Sequence, residues 1–199
     1  MADKFLDLAF TPKVRAAQEH YYGRSQETPR SVQEHDALGT DEITFIKERD
    51  SFYMGSVNAD GWPYVQHRGG SPGFCKIIDP DQLAFADYKG NRQLLSTGNF
   101  ATNDRVCLFF MDYPGRQRLK LLGHAEVLDA HEHPQLVTAL TTPGLEKFTE
   151  RIFRIRIVSF DWNCPKYITP RYGAAEVSKL VEPLKQRIAE LEAQLKNRD

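Results

Sequence analysis

The chain has 199 residues, 41% of them apolar and 27% charged, a balance typical of a globular protein with a hydrophobic core. Its formal net charge of −1 gives no reason to expect a nucleic acid or an anionic membrane as a partner. The first eight residues carry two acids and no long apolar run, which predicts no signal peptide, and the three cysteines form no CxxC pair. We therefore expect a cytoplasmic protein with reduced thiols.

Helices are predicted before the first strand. Apolar residues recur at helical spacing over residues 12–22. Residues 23–40 are polar and contain two glycines and a proline, which predicts a surface loop. A second helix is predicted to begin after Thr40, a residue type favoured at the N-cap, with acidic residues in its first turn.

From residue 51 onward the pattern is typical of strands separated by turns. Strands are predicted at 51–57, 63–67, 74–78, 83–86, 106–111, 118–128 and 151–160, with a short helix at 91–100 and helical or irregular structure at 134–149. The run at 106–111 is continuously apolar, which predicts a strand buried on both faces. These strands indicate a mainly β protein with flanking helices, a small antiparallel barrel.

The tail has a different pattern. Its apolar residues are spaced 4, 3, 4, 3 and 4 apart, at Val177, Val181, Leu184, Ile188, Leu191 and Leu195. This heptad spacing predicts an amphipathic helix or short coiled coil. The helix prediction is most secure after Pro183, because proline is tolerated only near a helix start or at a kink. The helix is expected either to dock on its own domain or to pair with another chain. We expect three parts, at residues 1–40, 41–172 and 173–199.

Two polar segments follow predicted strands and are candidates for binding a phosphate. Residues 66–73 place two adjacent glycines beside Arg68, and glycines let backbone N–H groups approach a ligand closely. Residues 87–93 combine two cations, an amide and a glycine, and a helix starting near Asn91 would add its N-terminal dipole. Two such segments after strands of one small barrel strengthen the case for a bound phosphate, and solvated loops stay the alternative.

Other candidate sites are weaker. The pair His131 and His133 lacks a third ligand nearby, so no metal site is predicted. No P-loop and no Gly-x-Ser-x-Gly motif is present. Cys107 lies in an apolar strand, where a cysteine is usually inert. Cys164 has cations nearby that could lower its pKa, but the favoured interpretation of this cysteine is a rigid exit from the last strand, held by packing of Trp162.

Several blocks of the sequence, in order, resemble the pyridoxamine 5′-phosphate oxidase-related flavoproteins, and more narrowly the branch of flavin-nucleotide-binding proteins. The blocks are Pro63-Tyr-Val-Gln-His-Arg-Gly-Gly-Ser-Pro-Gly-Phe74, Leu83-Ala-Phe-Ala-Asp-Tyr-Lys-Gly-Asn-Arg-Gln93, Met111-Asp-Tyr-Pro, Arg118-Leu-Lys-Leu-Leu-Gly-His-Ala125 and Trp162-Asn-Cys-Pro-Lys-Tyr-Ile168. The resemblance covers roughly residues 40 to 172. It implies an FMN-binding split barrel that forms a homodimer, with FMN held between the two subunits.

The resemblance also implies roles for individual residues. The segment lining the flavin corresponds to Arg68, Gly69, Gly70 and Ser71, and the segment holding the ribityl phosphate to Asp87, Tyr88, Lys89, Asn91, Arg92 and Gln93. Arg118 falls near a position that contacts the flavin from the second subunit. A terminal segment closing over the cofactor or substrate corresponds to Trp162, Cys164, Lys166 and Arg171. Cys164 and Arg171 are the candidates to face a substrate.

The late part of the sequence departs from that of the oxidase. The oxidase carries an Arg-x-His pair that grips its phosphorylated substrate, and no such pair occurs after residue 150. We therefore expect an FMN-dependent oxidoreductase with another substrate, reduced by a small molecule or a nicotinamide. The alternative is a flavin carrier or sensor whose C-terminal helix binds a partner. A haem-handling split barrel is a weaker possibility, because no histidine stands out as an axial ligand.

Overall fold

A computed structural model describes residues 3–27, 34–162 and 165–196. The α-helices of these residues are α1 (Asp3–Ala9), α2 (Pro12–Tyr22), α3 (Thr40–Lys47), α4 (Leu95–Thr102), α5 (Pro134–Leu140) and α6 (Ala174–Lys196). The strands are β1 (Ser51–Val57), β2 (Pro63–Gly69), β3 (Lys76–Asp79), β4 (Gln82–Tyr88), β5 (Arg105–Asp112), β6 (Gln117–Asp129) and β7 (Thr149–Trp162), with a short 3₁₀ helix at Glu146–Phe148. No described helix is both long and apolar enough to cross a membrane.

The strands form one seven-stranded sheet in the order β2-β1-β5-β6-β7-β4-β3. The pairings of β1 with β2 and β5, of β4 with β3 and β7, and of β6 with β7 are antiparallel. Because β2 and β3 stand at opposite ends of this order, the sheet is a barrel that does not close. The predicted split-barrel fold with flanking helices and a C-terminal helix is confirmed.

Three predicted elements differ in detail. The helix near residue 40 is capped by Gly39, whose N–H donates to the Glu42 carboxylate at 2.9 Å, so Thr40 is its first residue and not its cap. α4 begins at Leu95 and not near Asn91. β5 alternates between buried and half-buried residues, so it is not buried on both faces, because only one face meets the core.

Aromatic side chains dominate the core of the barrel. Phe52, Phe85, Phe110 and Phe153 are almost completely buried. The rings of Phe85 and Phe153 stack at a centroid distance of 5.2 Å, while Phe52 meets Phe85 edge-on at 5.3 Å. Burying a side chain of this size contributes about 1.5–3 kcal/mol. These residues come from β1, β4, β5 and β7, so the core holds together strands that are distant in the sequence.

The chain divides into two compact units. One contains residues 1–111 and 118–164, and the other contains residues 112–117 and 165–199. The first unit is the barrel, and the second contains the tail helix α6. Within α6 the heptad residues are exposed or half-buried. The functional division of the chain at residues 40 and 172 stays a prediction.

Candidate functional site

An ion pair joins β2, at one end of the sheet order, to β4, the strand next to the other end. Arg68 on β2 donates from Nη1 to Oδ1 of Asp87 on β4, at 2.5 Å. Arg151 on β7 donates from Nε to the other oxygen, Oδ2, at 2.9 Å. The pairing of β4 with β7 places Asp87 opposite Arg151, so one carboxylate is held between two guanidinium groups.

These three side chains are largely withdrawn from water, with exposed fractions of 14% for Arg68, 11% for Asp87 and 17% for Arg151. The Arg68 guanidinium carbon lies 4.8 Å from the Phe153 ring centroid, an arrangement that favours a cation electrostatically. The Nε atom of Arg68 is buried and has no hydrogen-bond partner. Arg151 also donates from Nη2 to Glu150 Oε2 at 3.0 Å, so two arginines face two carboxylates here, and the positive charge that remains for a ligand is that of Arg92 in the neighbouring loop.

A cleft opens beside this ion pair, and the barrel and its loops supply its lining. The lining consists of Tyr64, Gln66, Arg68, Asp87, Tyr88, Gly90, Asn91, Arg92, Gln93, Leu94, Leu95, Ser96, Thr97 and Arg151. Alternation along β2 puts its three members on one side of the strand. Ser96, in the first turn of α4, donates to the Gln66 amide oxygen at 3.0 Å. The positive end of the α4 dipole therefore faces the cleft, although the helix starts later than predicted.

The loop between β4 and α4 has an unusual backbone. Arg92 and Leu94 have φ angles of 62° and 53°, in the left-handed region that costs a non-glycine residue about 1–2 kcal/mol. Asn91 stabilises the turn by accepting from the Gln93 N–H at 3.0 Å. The side chain of Arg92 lines the cleft. Lys89 is exposed and lies outside the lining, and its N–H donates to the Phe148 carbonyl at 2.8 Å.

The predicted flavin-lining residues Gly69, Gly70 and Ser71 do not line this cleft. The N–H of Gly70 donates to the Asp50 carbonyl at 2.8 Å, so it is not available to a ligand in this conformation. A Cβ atom on Gly70 would lie 2.7 Å from Phe74. The absence of a side chain at this glycine therefore serves packing of the turn.

The terminal segment predicted to close over the cofactor contributes no residue to the lining of this cleft. Trp162 donates from Nε1 to Glu42 Oε1 at 2.6 Å, and its ring meets Phe45 edge-on at 4.8 Å, so it anchors the end of β7 to α3. Cys164 lies outside the described residues. Lys166 is exposed. In the second unit the Arg171 guanidinium stands 4.9 Å from the Tyr113 ring centroid.

Arg118 is the half-buried second residue of β6, next to the fully buried Leu119. Its Nε atom is buried and has no hydrogen-bond partner.

Tyr88 follows Asp87 on β4 and is also a predicted cofactor contact. Its hydroxyl accepts from the Thr142 N–H at 3.2 Å, which connects the cleft to the loop after α5.

The described cysteines do not provide a nucleophile. Burial raises the pKa of the Cys75 thiol far above its usual range, and it raises the pKa of the Cys107 thiol as well. Both side chains therefore remain neutral thiols near neutral pH. Within the described residues, no group of three or more metal-ligating side chains occurs.

Six residues of the cleft lie outside the two segments that the sequence singled out: Tyr64, Leu94, Leu95, Ser96, Thr97 and Arg151. Tyr64 alternates with Gln66 and Arg68 along one strand, a local signal that could have identified it. Arg151 lies 64 residues from its partner Asp87, and only the strand register brings them together. The combined set of three arginines, three amides and a helix N-terminus matches an anionic group such as a phosphate.

Known proteins resemble this chain in sequence pattern and in fold. The model of the pyridoxamine 5′-phosphate oxidase family matches residues 41–159. A candidate pyridoxamine 5′-phosphate oxidase from Lactobacillus delbrueckii has a TM-score of 0.50 and 21% identity, over 63% of this chain and 93% of its own. HupZ from Group A Streptococcus has a TM-score of 0.49 and 11% identity, over 68% and 100% of the two chains. No curated protein matches the chain.

Proposed function

The chain belongs to the pyridoxamine 5′-phosphate oxidase family, and on that premise we propose that it binds FMN and acts as an FMN-dependent oxidoreductase. The observation that carries the proposal is the basic cleft beside Asp87, which three arginines and the first turn of α4 line. A terminal phosphate carries about two negative charges near neutral pH, and this cleft offers both the charge and the donors to hold it. Arg68 Nε is also buried without a hydrogen-bond partner, so Asp87 does not satisfy this guanidinium completely.

Each residue of the cleft has a task in this proposal. Arg92 and Arg151 would contact the phosphate, with amides and hydroxyls from Asn91, Gln93 and Ser96 completing its hydrogen bonds. Asp87 would hold Arg68 and Arg151 in place and would not touch the phosphate, since like charges repel. When bound, FMN supplies the ability to accept a hydride and to pass electrons onward. Arg118, Trp162, Lys166 and the pair Cys164 and Arg171 stay candidates for the flavin and substrate side.

The homodimer is part of the proposal. The outer face of the sheet carries exposed Tyr53 and Val65 and half-buried Cys107 and Phe109, next to one another through the pairing of β1 with β2 and β5. An apolar sheet face of this kind is typical of a surface covered by another chain. Arg118, whose Nε lacks a partner, would then meet the FMN of the second subunit.

The substrate is proposed to differ from pyridoxamine phosphate. No histidine follows His133 in the sequence, so the Arg-x-His pair of the oxidase has no counterpart in the terminal segment. A reduced small molecule or a nicotinamide is the proposed hydride donor. A carrier or sensor of FMN is the second candidate, favoured by the exposed apolar residues of α6, which suit a partner protein.

Spectroscopy tests the proposal directly. The purified protein should absorb near the flavin bands, and mass measurement of the released ligand should identify FMN and not FAD or riboflavin. A colourless protein that does not bind added FMN at micromolar concentration would contradict it. Anaerobic addition of NADH or NADPH then separates the two candidates: bleaching at a catalytic rate supports the oxidoreductase, and a flavin that stays oxidised with both supports the carrier.

A further inference from the structure

Helix α6 carries an apolar seam on a free surface. The residues at heptad positions a are Val181, Ile188 and Leu195, and those at d are Val177, Leu184 and Leu191. Five of these six are exposed, by 42% to 63%, and Val181 is half-buried. A short amphipathic helix gains most of its stability by covering its apolar side. We therefore expect another apolar surface to pack against this seam.

We propose that the seam pairs with α6 of a second copy of this chain, in a parallel, in-register, two-stranded coiled coil. The identities of the seam residues favour this arrangement: Val181 and Ile188 are β-branched at a, while Leu184 and Leu191 occupy d. In parallel coiled coils, this combination selects two strands over three or four. The inference concerns the tail alone and does not depend on bound flavin.

The charges beside the seam complement each other across such a pair. Arg187 occupies heptad position g, and Glu192 occupies the following e. In a parallel pair, g of one helix faces the next e of the other, so each Arg187 meets Glu192 of the second copy, twice by symmetry. In the single chain Arg187 Nη1 contacts Glu190 Oε2 at 2.8 Å. This ion pair lies within one helix and does not involve Glu192.

Pro183 is compatible with this pairing because it lies at position c, away from the seam. Its missing N–H removes one hydrogen bond of the helix and its ring crowds the preceding turn, so the seam is most regular from Leu184 onward. A helix of 23 residues extends about 34 Å at a rise of 1.5 Å per residue. A coiled coil so short is marginal alone, and a shared barrel interface would raise the local concentration of the two tails.

The orientation can be tested by joining the C-termini. A Gly-Gly-Cys extension is added to the full chain carrying Cys164→Ser, and disulfide formation under mild oxidation is followed on non-reducing gels. Parallel helices hold the two tail cysteines together. Ile188→Glu should separate the helices and so lower the effective concentration of one tail cysteine near the other. Cross-linking should therefore be at least about tenfold faster in the protein that keeps Ile188. Equal rates in the two proteins would overturn the proposal.

Charge exchanges test the register. Arg187→Glu and Glu192→Arg should each slow cross-linking of the tails by about two- to fivefold, and the double variant should recover most of the rate, because the pair re-forms with reversed sign. Lys179→Glu, with the same charge change at the outward position f, should have little effect. An antiparallel pair would instead bring Lys185 opposite Glu192 and hold the two C-termini apart, so a double variant of Arg187 and Glu192 that fails to recover the cross-linking rate would overturn the proposal.

Discussion

The guanidinium of Arg68 donates to the carboxylate of Asp87 across the gap between the two ends of an open sheet. β2, which carries Arg68, is one end of the strand order, and β4, which carries Asp87, is next to the other end. The barrel core brings Phe85 and Phe153 beneath the arginine. The contact therefore fastens the open side of the barrel and, at the same time, places a cation at the edge of the cleft.

The first prediction concerns Asp87. Asp87→Asn should lower the free energy of unfolding by about 3–5 kcal/mol, since the change leaves the largely buried Arg68 without a counter-charge and leaves Arg151 with Glu150 alone. Added FMN should restore part of this loss, because its phosphate supplies negative charge to the same place. Chemical denaturation with and without FMN measures both effects.

Glu126→Gln is the control for Asp87→Asn. It also removes one carboxylate from an arginine pair, with Arg154, but both of those side chains are substantially exposed. The expected loss is below about 1 kcal/mol. Equal losses in the two variants would show that the ion pairs of Asp87 with Arg68 and Arg151 stabilise the fold no more than a surface ion pair does.

The second prediction tests the packing role assigned to Gly70. In Gly70→Ala, the new Cβ would fall 2.7 Å from Phe74, and overpacking of this kind costs about 1–3 kcal/mol. In Gly98→Ala, the new Cβ meets nothing within 4 Å, and alanine within α4 should stabilise by about 0.5–1 kcal/mol. Thermal unfolding of both variants measures these opposite signs. A stable Gly70→Ala protein with weakened FMN binding would instead favour the ligand-contact role inferred from the sequence.

The sequence predicted the order of the strands and helices because alternation and turn residues are local signals. It also identified one side of the cleft, residues 87–93, since cations, an amide and a glycine are concentrated there. It missed Arg151, because nothing in the residues around position 151 reveals that the strand register sets it opposite Asp87. It placed the start of α4 too early, since the left-handed residues Arg92 and Leu94 are of types that rarely adopt that conformation.

The third prediction concerns pH and Cys75. Burial raises the pKa of this thiol in the folded state above about 8.5, its value in an unfolded chain. The unfolded protein therefore loses the proton first as pH rises. The contribution to stability is full below pH of about 8 and falls above pH of about 9, by up to about 1.4 kcal/mol per pH unit. In Cys75→Ala this part of the slope should be missing.

Urea unfolding between about pH 7 and pH 10.5 measures the two slopes for Cys75. The variant is expected to be less stable at neutral pH, since it leaves a small cavity in the core, yet its stability should fall less steeply in alkali. Parallel curves over the whole range would mean that the thiol ionises in the folded protein as easily as in the unfolded one.

The fourth prediction tests the sheet face proposed as the dimer interface. Val65 is 63% exposed in the single chain, so Val65→Glu should leave the barrel folded while placing a charge in the interface. Every protein compared also carries Ile188→Glu, so that the tail helices do not pair, and light scattering should report a dimer without Val65→Glu and a monomer with it. Ile78→Glu adds the same charge at an exposed apolar position on β3 and should remain dimeric. A dimeric Val65→Glu protein would exclude this face.

The last prediction locates the phosphate. Arg92 lines the cleft, whereas Lys89, three residues earlier, is an exposed cation outside it. Arg92→Ala should remove a charge-assisted contact worth about 1.5–3 kcal/mol, so FMN binding should weaken by roughly 10- to 100-fold. Riboflavin has no phosphate, so its affinity should change much less. Titrations of both ligands therefore separate the phosphate contact from general damage to the loop.

Lys89→Ala is the matched variant in these titrations, because it removes one positive charge from the same loop. The sequence assigns Lys89 to the phosphate as well, but an exposed cation outside the cleft should act only through a solvent-screened field. We therefore expect Lys89→Ala to weaken FMN binding by less than about threefold. A larger loss for Lys89→Ala than for Arg92→Ala would place the phosphate on the outer side of the loop. Equal losses of FMN and riboflavin would instead reveal a misfolded loop, and no loss in either variant would move the phosphate to another part of the barrel.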